Sequence, residues 1–221
     1  AVFAGAIEAI ELRPSIGPLS GSTLVTLIGS GFTSVAAGQL SRFHCSFENS
    51  VGIVTESVAN VLSDSMLSCR TPAQDAACSA KVGAGVDQIS VMAAQLQFQF
   101  YSEPFLAEML PSIGTELGGT VVTVNGGGFV ASHLCLCRFG AEQSPSVSIV
   151  SSTRLHCTSP PGLGMAQVTI AVNGQDFVSA VGDFDFAYRG VAQISSVTPS
   201  SGPAATQFLV TIKGRNFGPT D

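Results

Sequence analysis

The residues able to do chemistry in this chain are its cysteines and histidines, and two stretches hold most of them. His133-Leu134-Cys135-Leu136-Cys137 and His156-Cys157 have the ligand types of a tetrahedral zinc site. Cys137 and Cys157, however, already have a structural explanation in the repeat described below, which leaves Cys135 a neighbouring thiol and not part of a ligand set. Nucleophilic catalysis would need a histidine held by a carboxylate beside a serine or cysteine. His44, His133 and His156 have no acidic neighbour in the sequence. Asp183 and Asp185 are of a type to ligate calcium, but an alternating strand exposes acidic residues at this spacing in any case. The Gly126 to Gly128 run is not followed by the helical periodicity that a phosphate-binding loop needs at its exit. No catalytic residue, metal or cofactor is therefore expected.

The elements that carry these groups repeat. Pro111-Ser112-Ile113-Gly114, followed by Gly119-Thr120-Val121-Val122-Thr123-Val124 and closed by Gly128-Phe129, has an upstream copy. That copy runs from Pro14-Ser15-Ile16-Gly17 through Thr23-Leu24-Val25-Thr26-Leu27 to Gly31-Phe32. A downstream copy runs from Pro199-Ser200-Ser201-Gly202 to Phe217, and the intervals between copies are 97 and 88 residues. The chain is thus two whole modules and the start of a third. Each Pro-Ser-x-Gly reads as a turn with φ fixed at Pro and φ > 0 open to Gly, leading into a half-buried strand of period two. The glycine-rich bend after it delivers one Phe to a core.

Overlaying the modules matches Cys45 with Cys137 and Cys69 with Cys157. Repetition at equivalent positions predicts one disulfide per module, Cys45 to Cys69 and Cys137 to Cys157, and an oxidising, extracytoplasmic location. Cys78 and Cys135 have no counterparts. They are open to pairing with each other, to pairing between chains or to remaining free, and a crosslink is expected.

In the first module strands are predicted at Ala9 to Leu12, Thr23 to Ile28, Arg42 to Phe47, Gly52 to Ser57, Met66 to Arg70, Gln88 to Met92 and Gln95 to Tyr101. In the last, Leu96, Phe98 and Phe100 alternate with glutamines, as Phe184, Phe186 and Tyr188 alternate with Asp183, Asp185 and Ala187 in the second module. Seven or so short strands and a cysteine pair add up to an immunoglobulin-type β-sandwich. The fold class is all-β, with tandem sandwiches over 1–103 and 104–190 and the opening strands of a third over 191–221. Ser102-Glu103-Pro104 and Arg189-Gly190-Val191 form the short linkers.

Only 11% of residues are charged, against about 25% in ordinary globular proteins, and the mean hydropathy is +0.42. So apolar a surface is expected to be covered by a partner, a polymer neighbour or attached sugar. A net charge of −6 with scattered basic residues excludes a nucleic-acid surface, and no apolar run is long enough for a membrane span. Asn49, Asn60, Asn125, Asn173 and Asn216 all fail the N-glycosylation pattern, which leaves O-linked glycans as the sugar to expect. Without an initiator Met or leader, the chain reads as a segment of something longer.

The order Met109-x-Pro111, Gly118-Gly119-Thr120-x-Val122-Thr123-Val124, Gly126-x-Gly128-Phe129, Cys137-x-Phe139-Gly140, Ser151-x-Thr153-x-Leu155-x-Cys157-x-Ser159-Pro160-Pro161, Val168-x-Ile170-x-Val172-Asn173-Gly174 and Phe184-x-Phe186-x-Tyr188 resembles the IPT/TIG family. These are immunoglobulin-like modules of plexins, related receptors and certain transcription factors. Leu106 to Tyr188 carry the resemblance most fully. Ile7 to Tyr101 carry it with an insertion around Gln74 to Ala80, and Ile194 to Phe217 carry only its opening strands. The resemblance implies a sandwich fold and leaves function open between spacer and binding surface.

The favoured expectation is a non-catalytic, extracellular or cell-surface array that assembles with itself into a fibre or appendage, as a homopolymer. Adjacent modules of the same chain are the other expected partners. The half-made third module would be completed by further residues or by a neighbouring chain, with Ala1-Val2-Phe3-Ala4 as an added strand. The alternative is the stalk or ligand-binding ectodomain of a plexin-like receptor or adhesin. A carbohydrate-binding module would want clustered aromatics, and the chain has no Trp and two Tyr. A transcription factor fails on charge and cysteine pairing.

Overall fold

The structure, a computed structural model, describes residues 7–33, 43–86, 89–180, 184–205 and 207–218, without the side chains of 89–95. Ala1 to Ala4, Arg42, Gln88 and Asp183, which figure in the expectations above, lie outside the described residues. The strands of the first part are β1 (Glu8–Arg13), β2 (Ile16–Pro18), β3 (Leu24–Ser30), β4 (Phe43–Glu48), β5 (Val54–Ser63), β6 (Met66–Arg70), β7 (Cys78–Val86) and β8 (Ile89–Tyr101). The second part has β9 (Phe105–Leu110), β10 (Ile113–Thr115), β11 (Val121–Gly127), β12 (Leu136–Phe139), β13 (Glu142–Gln143), β14 (Val147–Ser151), β15 (Arg154–Thr158), β16 (Met165–Ala171), β17 (Val178–Ser179) and β18 (Asp185–Arg189). A final hairpin joins β19 (Gln193–Thr198) and β20 (Thr211–Arg215). No helix occurs among the described residues.

Two compact units result. The first gathers the chain up to Pro104 together with Val172–Asp176, and the second gathers Phe105–Ala171 with the chain from Phe177 on. Both use one device at their entry. In the first unit β1 lies antiparallel on β3, with Leu12 opposite Leu27. The chain then crosses to the facing sheet, where β2 runs parallel to β8 with Gly17 opposite Phe100. In the second unit β9 lies on β11, and β10 then runs parallel to β18 with Gly114 opposite Tyr188. Each crossing falls at a proline, which has no N–H to continue the ladder. The bonds Arg13-Pro14, Leu110-Pro111 and Thr198-Pro199 are all cis.

The glycine after the proline has a different reason from the one its turn chemistry suggests. Gly17 and Gly114 are not at positive φ. A Cβ on Gly17 would lie 2.4 Å from Thr23 Oγ1 and 2.6 Å from the Phe98 ring. A Cβ on Gly114 would lie 2.4 Å from both Thr120 Oγ1 and the Phe186 ring. Glycine is needed there because backbone and ring meet directly.

The first unit's core packs Val25, Leu27, Phe32, Phe47, Leu67, Val82, Phe98 and Phe100 around Cys45 and Cys69. The second packs Val122, Val124, Phe129, Phe139, Leu155, Val168, Ile170 and Phe186 around Cys137 and Cys157. The rings meet edge to face, with Phe98 to Phe100 at 4.8 Å and Phe139 to Phe186 at 5.1 Å. Such pairs add about 0.5–1.5 kcal/mol to simple area burial.

Four strands of the first unit differ from expectation, and β2, which the turn chemistry of Pro14 to Gly17 concealed, is the first of them. β5 runs on to Ser63, because its first half pairs with β4 and its second half with β6, so that it passes from one sheet to the other. In the second unit the same passage is broken into β13 on β12 and β14 on β15. β7, absent from the expected strands, pairs with both β4 and β8. β8 is one strand, and the break expected after Met92 is a register shift between Gln97 and Met92. In the β19–β20 hairpin, Ile194, Val197, Val210, Ile212 and Phe217 are exposed, although their counterparts one repeat earlier, such as Val122, Val124 and Phe129, are buried.

Candidate functional site

Each candidate site can be followed to its place. Cys45 on β4 is bonded to Cys69 on β6, and Cys137 on β12 to Cys157 on β15, with Cα–Cα separations of 6.4 and 6.3 Å. All four are buried, and each bond ties one sheet of its sandwich to the other. The pairs leave His133, Cys135 and His156 without the thiolates that zinc would need. Among the described residues no three His, Cys, Asp or Glu side chains converge as a metal site.

Cys78 and Cys135 are free, part-buried thiols. Burial pushes the Cys135 thiol up to about 11. At pH 7.5 that leaves roughly one molecule in three thousand as the reactive thiolate. Iodoacetamide should therefore label Cys135 at least a hundredfold more slowly in the native chain than in urea. The native rate should climb with pH towards 11 and flatten beyond it, as read by peptide mass spectrometry. Equal rates in native and unfolded chains would remove the burial argument.

One pairing was not visible in the order of residues. His44 Nε2 lies 3.4 Å from Glu56 Oε1. His44 faces Val58 and Ser46 faces Glu56 across β4 and β5, which makes His44 and Glu56 diagonal neighbours on one sheet face. The only signal for it would have been the β4–β5 register. Asp185 sits on β18 opposite Gln167. The Tyr188 hydroxyl is buried without a partner among the described residues, and burial with the Glu142 carboxylate raises it above the ordinary phenol value.

Two places hold polar groups in a recognition geometry. In the first unit Asn173-Gly174-Gln175-Asp176 forms a turn, with the Asn173 Oδ1 accepting from the N–H groups of Gln175 at 3.2 Å and Asp176 at 2.9 Å. The turn is seated on Ile16, Thr23 and Leu24. The Thr23 hydroxyl donates to Asp176 Oδ2 at 2.5 Å, and Asn173 Nδ2 donates to the same oxygen at 2.6 Å and to the Ile16 carbonyl at 3.3 Å. Gln175 Nε2 donates to the Leu24 carbonyl at 2.9 Å while Leu24 N–H donates to Gln175 Oε1 at 3.3 Å. The amide of Gln175 thereby takes the strand edge beyond Thr26, where β1 stops pairing with β3. In the second unit a cavity of about 720 Å³ opens beside Ile113, Gly114, Thr115, Thr120, Arg189 and Phe217. It contains no paired acid and base, and its polar groups are hydrogen-bonding and cationic.

Comparison with known proteins fits this architecture. The IPT/TIG domain family matches residues 7–100, 104–186 and 192–221. Human fibrocystin-L (Homo sapiens) is 30% identical over 118 residues, which are 53% of this chain and 3% of that protein. Plexin-2 of Caenorhabditis briggsae is 24% identical over 207 residues, 94% of this chain and 11% of that protein. The chain thus spans only a small part of the relatives it matches. Among solved structures, the full extracellular region of plexin A4 superposes on 91% of this chain and 18% of its own length, with a TM-score of 0.55 and 18% identity, a likeness of fold. The two disulfides agree with an extracellular or cell-surface location. With three successive matches covering nearly its whole length, the chain belongs to the IPT/TIG family of immunoglobulin-like domains.

Proposed function

We propose that this chain is a non-catalytic segment of a receptor- or adhesin-type ectodomain, in which IPT/TIG modules in series act as spacer and protein-binding surface. The modules would span 1–103 and 104–190, with a third opening at 191. The observation that carries the reading is the alignment with plexin-2, which runs through 94% of the chain and not through a single module. Self-assembly into a fibre, covalent crosslinking through Cys78 and Cys135, and O-glycosylation find no comparable support, and the ectodomain reading takes precedence over them.

The discriminating experiment is light scattering coupled to size exclusion, with and without reductant, backed by negative-stain electron microscopy. A single species at 22.6 kDa, unchanged in mass by mild reduction, is expected. Regular filaments that fall apart on reduction would overturn the proposal in favour of a crosslinked polymer.

A further inference from the structure

The turn seated on Ile16, Thr23 and Leu24 begins with an Asn-Gly pair, Asn173-Gly174, and the chain holds a second such pair, Asn125-Gly126. In an Asn-Gly pair the glycine nitrogen follows directly on the asparagine, and no Cβ stands beside it to obstruct attack on the side-chain amide carbon. Attack then depends on three conditions. The nitrogen must be free, the amide oxygen must be stabilised as it gains negative charge, and the backbone must not be held extended in a ladder.

At Asn173 all three are met. Among the described residues the Gly174 N–H makes no hydrogen bond. The Asn173 Oδ1 already accepts two backbone N–H groups, from Gln175 at 3.2 Å and from Asp176 at 2.9 Å, which is the arrangement that stabilises an oxyanion. Gly174 lies outside any strand, at a φ of 84°. The Asn173 side chain is buried and kept in one orientation, its Nδ2 donating to Asp176 Oδ2 and to the Ile16 carbonyl, while Gly174 is part-exposed and open to water. Asn125 is the opposite case. It lies within β11, where the Gly126 N–H donates to the Thr153 carbonyl at 3.0 Å, and its Oδ1 receives a single side-chain donor, Arg154 Nε at 3.3 Å.

We propose that Asn173 is a self-modifying site, which loses its side-chain amide and thereby unlatches the turn from Ile16 and Thr23. The Gly174 nitrogen bonds to Asn173 Cγ, the Cγ–Nδ2 bond breaks, and the Gly174 proton leaves with Nδ2 as ammonia. Water opens the resulting succinimide to aspartate or isoaspartate. Water is the one co-reactant, and nothing is oxidised or reduced. Position 173 thereafter carries a carboxylate where it had a donor. That carboxylate meets Asp176 Oδ2 and the Ile16 carbonyl, so two hydrogen bonds become repulsions and Asp176 is driven from the Thr23 hydroxyl. The inference holds whether the array serves a receptor or a fibre.

The test is ageing of the intact 221-residue chain at pH 8, with peptide mapping that separates asparagine, aspartate and isoaspartate at positions 173 and 125. In the folded chain Asn173 should convert at least about tenfold faster than Asn125, the scale set by preorganised oxyanion donors. In urea the two pairs should convert at similar rates. Amide NMR should show the Ile16, Thr23 and Leu24 signals displaced in Asn173→Asp and lost from their native places as the parent chain ages, while Asn125→Asp leaves them unmoved. Equal folded-state rates at the two positions, or an Asn173 that reacts in urea alone, would overturn the modification site. Native Thr23 and Leu24 signals in Asn173→Asp would overturn the unlatching.

Discussion

Replacing Phe98 by alanine should destabilise the first unit by about 3–5 kcal/mol, the range for a large buried aromatic whose cavity cannot collapse. Phe98 is fully buried and is met edge-on by Phe47 and Phe100 at 6.1 and 4.8 Å. Its ring also fills the space against Gly17, where a Cβ would come within 2.6 Å. Loss of the ring therefore loosens the strand switch at Pro14 as well as the core. Phe186 holds the matching place in the second unit against Gly114 and Phe139, and Phe186→Ala should cost a similar amount there. Tyr101 lies in the first unit and Tyr188 in the second, so urea unfolding followed by tyrosine fluorescence in a Tyr188→Phe or a Tyr101→Phe background reads one unit at a time. A loss below about 1 kcal/mol in either variant would show that the ring is not the centre of its core.

Removing a disulfide has the second large effect. Cys45 and Cys69 close a loop of 24 residues and Cys137 and Cys157 one of 20. In the chain-entropy account each stabilises its unit by about 3 kcal/mol, chiefly by restricting the unfolded chain. The paired substitution Cys137→Ala with Cys157→Ala adds a cavity at two fully buried positions, so its cost should reach or exceed that figure. Calorimetry should show the transition of the second unit falling by roughly 10 °C or more, with that of the first unchanged. An unshifted transition would mean that the sheets are held by packing alone.

The parts of the fold legible in the residues were those that alternate with large side chains. Leu96, Phe98 and Phe100 against glutamines, and Val25 and Leu27 against threonine, announce a buried face directly. β7 was not legible for the converse reason. Its inward residues Ala80, Val82 and Ala84 are small, because Phe47, Phe98 and Phe100 already fill that part of the core. Two glycines, Gly83 and Gly85, lower its strand propensity further. The second half of β5 was missed because Val58, Val61 and Leu62 are exposed on a strand that changes sheets, which erases the inside-outside pattern. The glycine of Pro-Ser-x-Gly announced itself by recurrence, but its cause, contact with a ring some eighty residues away, is not local.

The candidate site was hidden more completely. Nothing near Thr23 in sequence points to Asp176, whose bond spans 153 residues. His44 and Glu56 likewise met only through strand register.

The measurement that tests the central claim most directly is a non-reducing peptide map of the chain after alkylation of its free thiols. One disulfide closing each IPT/TIG sandwich predicts Cys45 joined to Cys69 and Cys137 to Cys157, with Cys78 alkylated and Cys135 alkylated only after unfolding. A bond between Cys78 and Cys135, or any cystine joining two chains, would contradict the account and return the weight to a crosslinked fibre.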